Sequence, residues 1–211
     1  DPIRVISNTS SGKMGYFLLK KAIDLGLDIT LVKGSTMIDL EYTKLKDQFN
    51  FKLIEARTSQ QMLDSVIGEL SSKPYDIIVL AAAVSDFRPE FSSSDKITTD
   101  CESFVIRLVP TGKIVNKVKY IQRKVFLVAF KAEYHVSDRI LLERSYRKLL
   151  DSDADMVVAN DVGTEGASIG SESNKIIILD KFKNYYDFPL QNKESVAENI
   201  LKLIYVNLSK Q

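Results

Sequence analysis

The chain has 211 residues, 45% of them hydrophobic and 27% charged, the mix of a globular protein long enough to bury a sizeable core. Lysine and arginine total 29 against 28 aspartate and glutamate, so a net charge of +1 gives no bulk field for nucleic acid or an anionic membrane, and any anion site has to be local. The single cysteine, Cys101, and single histidine, His135, exclude an internal disulfide and a His/Cys zinc set, a usage that fits a reducing cytoplasm.

In chain order, Ile3–Ser7 reads as a strand that delivers the chain to a small-residue turn, Asn8–Gly12. An amphipathic helix is expected over Met14–Leu25, with Phe17, Leu18 and Ala22 on one face and Gly26 placed to stop it. The turn has the look of a Walker loop, yet G-x-x-x-x-G-K-[ST] fails at both ends: Ser7 stands at the first glycine position and Met14 follows Lys13. Unpaired amides at a helix start hold anions without that motif. Lys13 is unfavourable there with respect to the helix dipole by under about 1 kcal/mol, which hints at an anion nearby.

Strands are expected next over Asp28–Lys33 and Phe51–Ala56; the charged, weakly periodic stretch Ile38–Asn50 between them carries no functional expectation. Thr58 and Gln61 form a capping box for a helix over Ser59–Leu70, and Asp76–Val84 is a strand. Its longest apolar run, Ile77–Val84, is far shorter than the roughly 20 residues a membrane helix requires. Phe87–Pro110 then breaks the alternation, being rich in Ser, Thr and charge, and reads as a flap whose Ser103–Val109 segment is an antiparallel strand. Helices over Ile114–Ile121, Ser137–Leu150 and about Glu194–Leu208 alternate with strands Val125–Phe130, Asp155–Asn160 and Lys175–Leu179.

Continuous apolar strands joined by helices predict an α/β fold with a doubly wound, mostly parallel, Rossmann-like sheet and an antiparallel flap, in a single domain over residues 1–211. Ligands of such sheets sit beyond the carboxyl ends of the strands, which sets Asn8–Lys13, Ser85–Pro89 and Asn160–Val162 along one rim. In AAAVSDFRP, Ala81–Pro89, three alanines leave room for a flat or extended ligand, with Asp86 and Arg88 at the rim for a metal, a hydroxyl or an anion; a tightly packed strand followed by a solvated ion pair explains the same residues equally well. Lys96 is either a solvated loop charge or a lysine that closes over phosphate. Cys101 and His135 have no identifiable partner for nucleophilic catalysis and are taken as structural or incidental. A nicotinamide enzyme would need G-x-G-x-x-G at the first turn, where only Gly12 and Gly15 occur, and Asp28 falls too early for the ribose-binding acid.

DPIRVISNTSSGKMG at the start, AAAVSDFRP in the middle and VVANDV near the end resemble phosphopantothenoylcysteine synthetase (phosphopantothenate cysteine ligase), in the family's order and rough spacing from the first residue to KIIIL. The resemblance implies a two-step, magnesium-assisted ligation: the carboxylate of 4'-phosphopantothenate attacks the α-phosphate of CTP, and the amine of cysteine then displaces CMP. It implies that Asn8 holds the acyl cytidylate, that Arg4 and Ala83 meet phosphopantothenate, and that Ser10, Ser11 and Gly12 donate to phosphate. Ala82, Asp86 and Phe87 would line the nucleotide pocket together with Phe130 and Lys148, while Asn160 and Asp161 are the polar pair of the last motif. Lys96 matches the first lysine of a flap that closes over the intermediate and crosses to a second subunit, so a homodimer is implied. The family domain is often the carboxyl half of a bifunctional protein with a flavin-dependent decarboxylase, and a chain beginning Asp1-Pro2 without initiator methionine is expected to be such a half.

Three segments depart from the family pattern. The flap reads KITTD where KIKK is usual, PTGKI (Pro110–Ile114) stands for NPDI beside the base, and FKAEY (Phe130–Tyr134) stands for FAAET. These leave the choice between CTP and ATP open. A nicotinamide- or flavin-binding oxidoreductase and a nonenzymatic partner of a decarboxylase are the alternatives.

Overall fold

The computed structural model describes residues 1–37, 51–100 and 102–210. Ile38–Asn50 and Cys101, singled out above, lie outside the described residues. The main sheet has the order β3 (Ile77–Leu80), β6 (Phe126–Glu133), β7 (Met156–Asp161), β8 (Ser173–Asp180), β9 (Tyr185–Asn192). The first three run parallel, and β8 and β9 close one edge as an antiparallel meander.

Both faces of this sheet are covered, which is why its central strands are apolar without alternation. Phe126 and Val128 of β6 and Met156 and Val158 of β7 pack under α1 (Lys13–Asp24) and α5 (Lys193–Leu208), through Leu18, Val196, Ala197, Ile200 and Ile204. Their neighbours Leu127, Ala129 and Val157 point the other way, against α2 (Ser59–Ser72), α3 (Val115–Ile121) and α4 (Asp138–Ser152). Local signals act where the sequence puts them. The Thr58 hydroxyl accepts from Gln61 N at 3.1 Å while Gln61 Oε1 accepts from Thr58 N at 3.2 Å, completing the capping box of α2. Gly26, at φ 71°, lets the chain leave α1 in the left-handed conformation.

Three expectations need correction. Ile3–Ser7 joins no ladder, and Ile3, Val5 and Ile6 are exposed. The reason is local: the buried Asp1 carboxylate accepts from the amides of Ile3 and Arg4 and from the Arg4 guanidinium, and it also takes the amide of Ile97. These bonds fold the segment back and hold it at the flap. In consequence β1 (Ile29–Lys33) and β2 (Phe51–Glu55) form a separate parallel pair, and the edges of β1 and β3 that face away from their partners have no strand alongside among the described residues.

The flap strand is shorter than expected: only β5 (Leu108–Pro110) pairs, antiparallel, with β4 (Phe87–Pro89), while Phe104, Val105 and Ile106 are exposed. Last, β9 was not expected at all. Its sequence, YYDFPLQN, carries an acid and a proline; the proline is tolerated because β9 is an edge strand, and Tyr186 and Phe188 pack into the core under α5.

Candidate functional site

The amino-terminal block forms the first wall. Gly12 takes φ 75° at the start of α1, a conformation open to glycine, and the buried Ser11 hydroxyl accepts from the Lys13 amide at 3.4 Å. The Lys13 ammonium turns away from this mouth, donating to Gly170 O at 2.7 Å and pairing with the Glu172 carboxylate. The anion that Lys13 hinted at is therefore a protein carboxylate. Arg4 reaches the flap by donating to Ile97 O at 2.6 Å.

Asn8 joins this wall to the second. Its Nδ2 donates to Ala83 O at 3.4 Å and Val84 O at 3.3 Å, bringing blocks 75 and 76 positions apart together at the end of β3. The loop after β5 is latched to the same segment: the Thr111 hydroxyl donates to Ser85 O at 2.7 Å and the Thr111 amide to Asp86 O at 2.9 Å. Gly112 then passes so close to α2 that an added Cβ would stand 2.9 Å from Leu63 Cδ2. Lys113, next in the chain, makes an ion pair with the Asp86 carboxylate. Arg88 is bound to local carbonyls, donating to Pro89 O at 3.0 Å.

The third wall comes from β6 and α4. Phe130 packs toward α1 and α5, whereas Lys131, on the opposite face, stands above Leu127 and Ala129 at the carboxyl end of β6. Lys131 pairs with Glu133 at 2.8 Å, and Glu133 also pairs with Arg144 of α4. Together the two cations hold the Glu133 carboxyl below its ordinary value although burial pulls it the other way. Lys148, half-buried on α4, makes no side-chain hydrogen bond or ion pair among the described residues. Burial first, then the positive charges of Lys113 and Lys131, push its ammonium below the ordinary lysine value.

All three walls line one cavity of about 2110 Å³. A single small ligand needs about 300–1,000 Å³. The excess arises because the cavity continues between β1 and β3, whose residues line it throughout. Among the described residues no group of three or more His, Cys, Asp or Glu side chains gathers to hold a metal. A magnesium ion, which keeps several waters and binds through one or two carboxylates plus ligand phosphates, would be held here by Asp86, which lines the cavity.

The family described as "DNA/pantothenate metabolism flavoprotein C-terminal domain" matches residues 1–207. The chain belongs to this family. It is 36% identical over 204 residues to the "Coenzyme A biosynthesis bifunctional protein CoaBC" of Thermococcus kodakarensis, covering 95% of this chain and 46% of that protein. To the protein of the same name from Bacillus subtilis it is 30% identical over 211 residues, 100% of this chain and 49% of that one. The chain thus spans about half the length of these curated relatives. Among solved structures, it is similar to the C-terminal domain of a CoaBC protein, with a TM-score of 0.76 at 28% identity, covering 100% of this chain and 90% of that one. It shares its fold with a Cab2 mutant solved in complex with phosphopantothenate-cysteine, at a TM-score of 0.68 and 15% identity over 99% of this chain and 81% of that one.

Within this member of the flavoprotein C-terminal family, Arg4, Asn8, Ser10, Ser11, Gly12, Ala82, Ala83, Asp86, Phe87, Phe130 and Lys148 all line the cavity. Lys96 does not: it is exposed on the flap, with no side-chain hydrogen bond or ion pair among the described residues. The last motif divides. Asn160 lines the cavity and bonds Asn174 at 3.3 Å, whereas Asp161 serves the corner behind it, accepting from His135 N, Val136 N and Gly163 N at 2.8–3.0 Å. Those amides hold the Asp161 carboxyl below its ordinary value against the opposing effect of burial. Lys113 and Lys131 line the cavity too but were not singled out as binding residues from the sequence. A glycine-lysine step before a helix and a lysine at the end of a buried strand are the only signals they leave.

Proposed function

We propose that this domain joins 4'-phosphopantothenate to cysteine at the expense of a nucleoside triphosphate, as the phosphopantothenate cysteine ligase step of coenzyme A biosynthesis. The observation that carries the reading is the pair of bonds from Asn8 Nδ2 to Ala83 O and Val84 O, which joins the two blocks of greatest resemblance at the mouth of one cavity. Two anions, a carboxylate and a polyphosphate, have to be held in line against their repulsion, and fixed donors do this without reorganisation. Ser10, Ser11 and Gly12 would supply donors to phosphate at the start of α1, and Ala82, Ala83 and Phe87 a wall for the extended substrate.

In the first step the carboxylate oxygen bonds to the α-phosphorus, the bond to the bridging oxygen breaks, and pyrophosphate leaves with its electron pair. In the second, the cysteine amine attacks the acyl carbon, loses a proton, and the nucleoside monophosphate departs. Asn8 would orient the acyl phosphate in this second step through its amide donor. Lys96 would reach the intermediate only when the flap moves, and in a homodimer it would do so in the site of a second subunit. Magnesium, when bound, supplies charge neutralisation between the phosphates. The reading carries with it a cytoplasmic setting and a fusion to, or association with, a flavin-dependent decarboxylase. CTP is the nucleotide expected, with ATP the competitor that PTGKI leaves open.

Pyrophosphate release by the purified domain tests this, with magnesium and 4'-phosphopantothenate, comparing CTP with ATP and with or without cysteine. Release that requires phosphopantothenate is expected. A folded protein that releases none with either nucleotide would overturn the reading.

A further inference from the structure

Besides Lys148, the cavity wall holds Lys113 at the start of α3 and Lys131 at the end of β6, with Asp86 between the loops. These side chains come from three separate elements and share the α2–α3–α4 side of the sheet. The anions present do not balance them. Asp86 pairs with Lys113, Glu133 is shared between Lys131 and Arg144, and Asp151 acts on Lys148 through space without an ion pair, so four cationic groups share three carboxylates. Lys148 is the one left without a partner carboxylate among the described residues, and it is the half-buried one. Burial first, and the like charges of Lys113 and Lys131 after it, disfavour the Lys148 ammonium. Such an arrangement is stabilised when a multivalent anion enters and takes several ammonium groups at once.

The Lys113–Asp86 pair is poised for that exchange. Both partners are more than half exposed, so the pair is weak in water and its replacement by phosphate is easy. Asp86 itself is fixed by its backbone, whose carbonyl accepts from Thr111 N, so Lys113 stays near the cavity in either state.

We propose that Lys113, Lys131 and Lys148 form one binding site for a linear polyphosphate, in which Asp86 occupies Lys113 until the anion displaces it. The inference deepens the nucleotide-dependent reading above, for which this anion would be the triphosphate tail or the departing pyrophosphate. It adds Lys113 and Lys131 to Lys148 as direct phosphate contacts, with Asp86 acting as a competitor in the absence of metal.

The test is calorimetric binding of inorganic tripolyphosphate in EDTA to the wild-type domain and to Lys113→Gln, Lys131→Gln and Asp86→Asn, with folding of each checked by thermal melting. Each lysine variant is expected to bind about 5- to 20-fold more weakly, and Asp86→Asn about 3- to 10-fold more tightly, because it removes the competing carboxylate. The opposite sign of the Asp86 effect separates exchange from general loss of structure. Undetectable wild-type binding, lysine variants within twofold of wild type, or weaker binding by Asp86→Asn would overturn the site. Lysine-dependent tripolyphosphate binding without phosphopantothenate-dependent pyrophosphate release would uphold this site while refuting the ligase reading. Ligase activity with unaltered polyphosphate binding in the variants would do the reverse.

Discussion

Replacing Asn8 by Asp separates chemistry from folding, because the two effects differ greatly in size. Asn8 is exposed, and its bonds to Ala83 O and Val84 O, at 3.4 and 3.3 Å, lie at the long end of the range. A hydrogen bond of ordinary geometry contributes about 0.5–1.5 kcal/mol, so two long, solvated ones together contribute under about 1 kcal/mol. The new carboxylate would be repelled by both carbonyl oxygens but can swing into solvent. At about 2–4 °C per kcal/mol for a chain of this size, the melting temperature should fall by less than about 4 °C. The catalytic effect is expected to be much larger: losing one fixed donor to a developing oxyanion lowers turnover by about 10²–10³. A quenched-flow experiment with labelled CTP should show pyrophosphate released in a burst, an acyl cytidylate that accumulates, and slow conversion to product by cysteine. Turnover within about threefold of wild type would refute the role of Asn8, and a fall of more than about 8 °C would refute the claim that its bonds are structurally minor.

Lys96→Gln should leave thermal stability unchanged, since the side chain is exposed and unbonded among the described residues, while steady-state turnover falls about 100-fold; near-normal turnover would make the flap lysine incidental. Gly163→Ala brings a Cβ to 2.8 Å from His135 N and breaks the amide cluster on Asp161, so urea unfolding should report a loss of about 1–3 kcal/mol, and an unchanged midpoint would show that the corner yields. Asp155→Asn should destabilise by about 2–4 kcal/mol near neutral pH, because it leaves the largely buried Lys119 without its carboxylate, the more exposed Lys181 adding less through solvent screening. Although burial opposes it, the two lysines and the Leu127 amide lower the Asp155 pKa, so this difference is fully present above the unfolded value of about 4 and is lost as pH falls through the lower folded value; a difference that persists unchanged at about pH 2 would refute the assignment.

What the sequence made legible follows the strength of its local signals. The capping box at Thr58, the glycine stop at Gly26 and the unbroken apolar strands each act through neighbours within a few residues or through burial on both faces, and each has its expected place. Ile3–Ser7 departs from its strand pattern because a short-range competitor, the Asp1 carboxylate, holds the amides of Ile3, Arg4 and Ile97, which periodicity does not reveal. β9 escaped because an edge strand needs neither a continuous apolar run nor a donor at Pro189. In the site, the motif residues of the first two blocks line one cavity, whereas Asp161 braces the corner at His135. Charges that meet only in three dimensions, such as Lys113, Lys131 and Lys148, leave no pattern in a linear reading.

The bonds that frame the cavity run to main-chain atoms. Asn8 reaches the carbonyls of Ala83 and Val84, Thr111 reaches those of Ser85 and Asp86, and Asp161 receives three amides. A frame of this kind constrains the residue that sends the side chain but not the side chain of the residue that receives it. Substitutions can therefore gather at positions that face the cavity without loosening its walls. Lys113 and Lys131 occupy such positions: one follows the Thr111 latch by two residues and adds only an exposed ion pair to it, and the other ends a buried run of β6 and pairs within its own strand. They lie within PTGKI and FKAEY, while KITTD on the flap has threonines at Thr98 and Thr99 on the cavity wall. Cations thus reach the cavity both from the flap, through Arg88 and Arg107, and from the wall that carries Lys113, Lys131 and Lys148. If Lys96 and Lys113 hold the same phosphates jointly, combining Lys96→Gln with Lys113→Gln should be less than additive in weakening the nucleotide, because losing either already loosens the phosphates the other holds; strict additivity in a double-mutant cycle would show that the two act on separate groups.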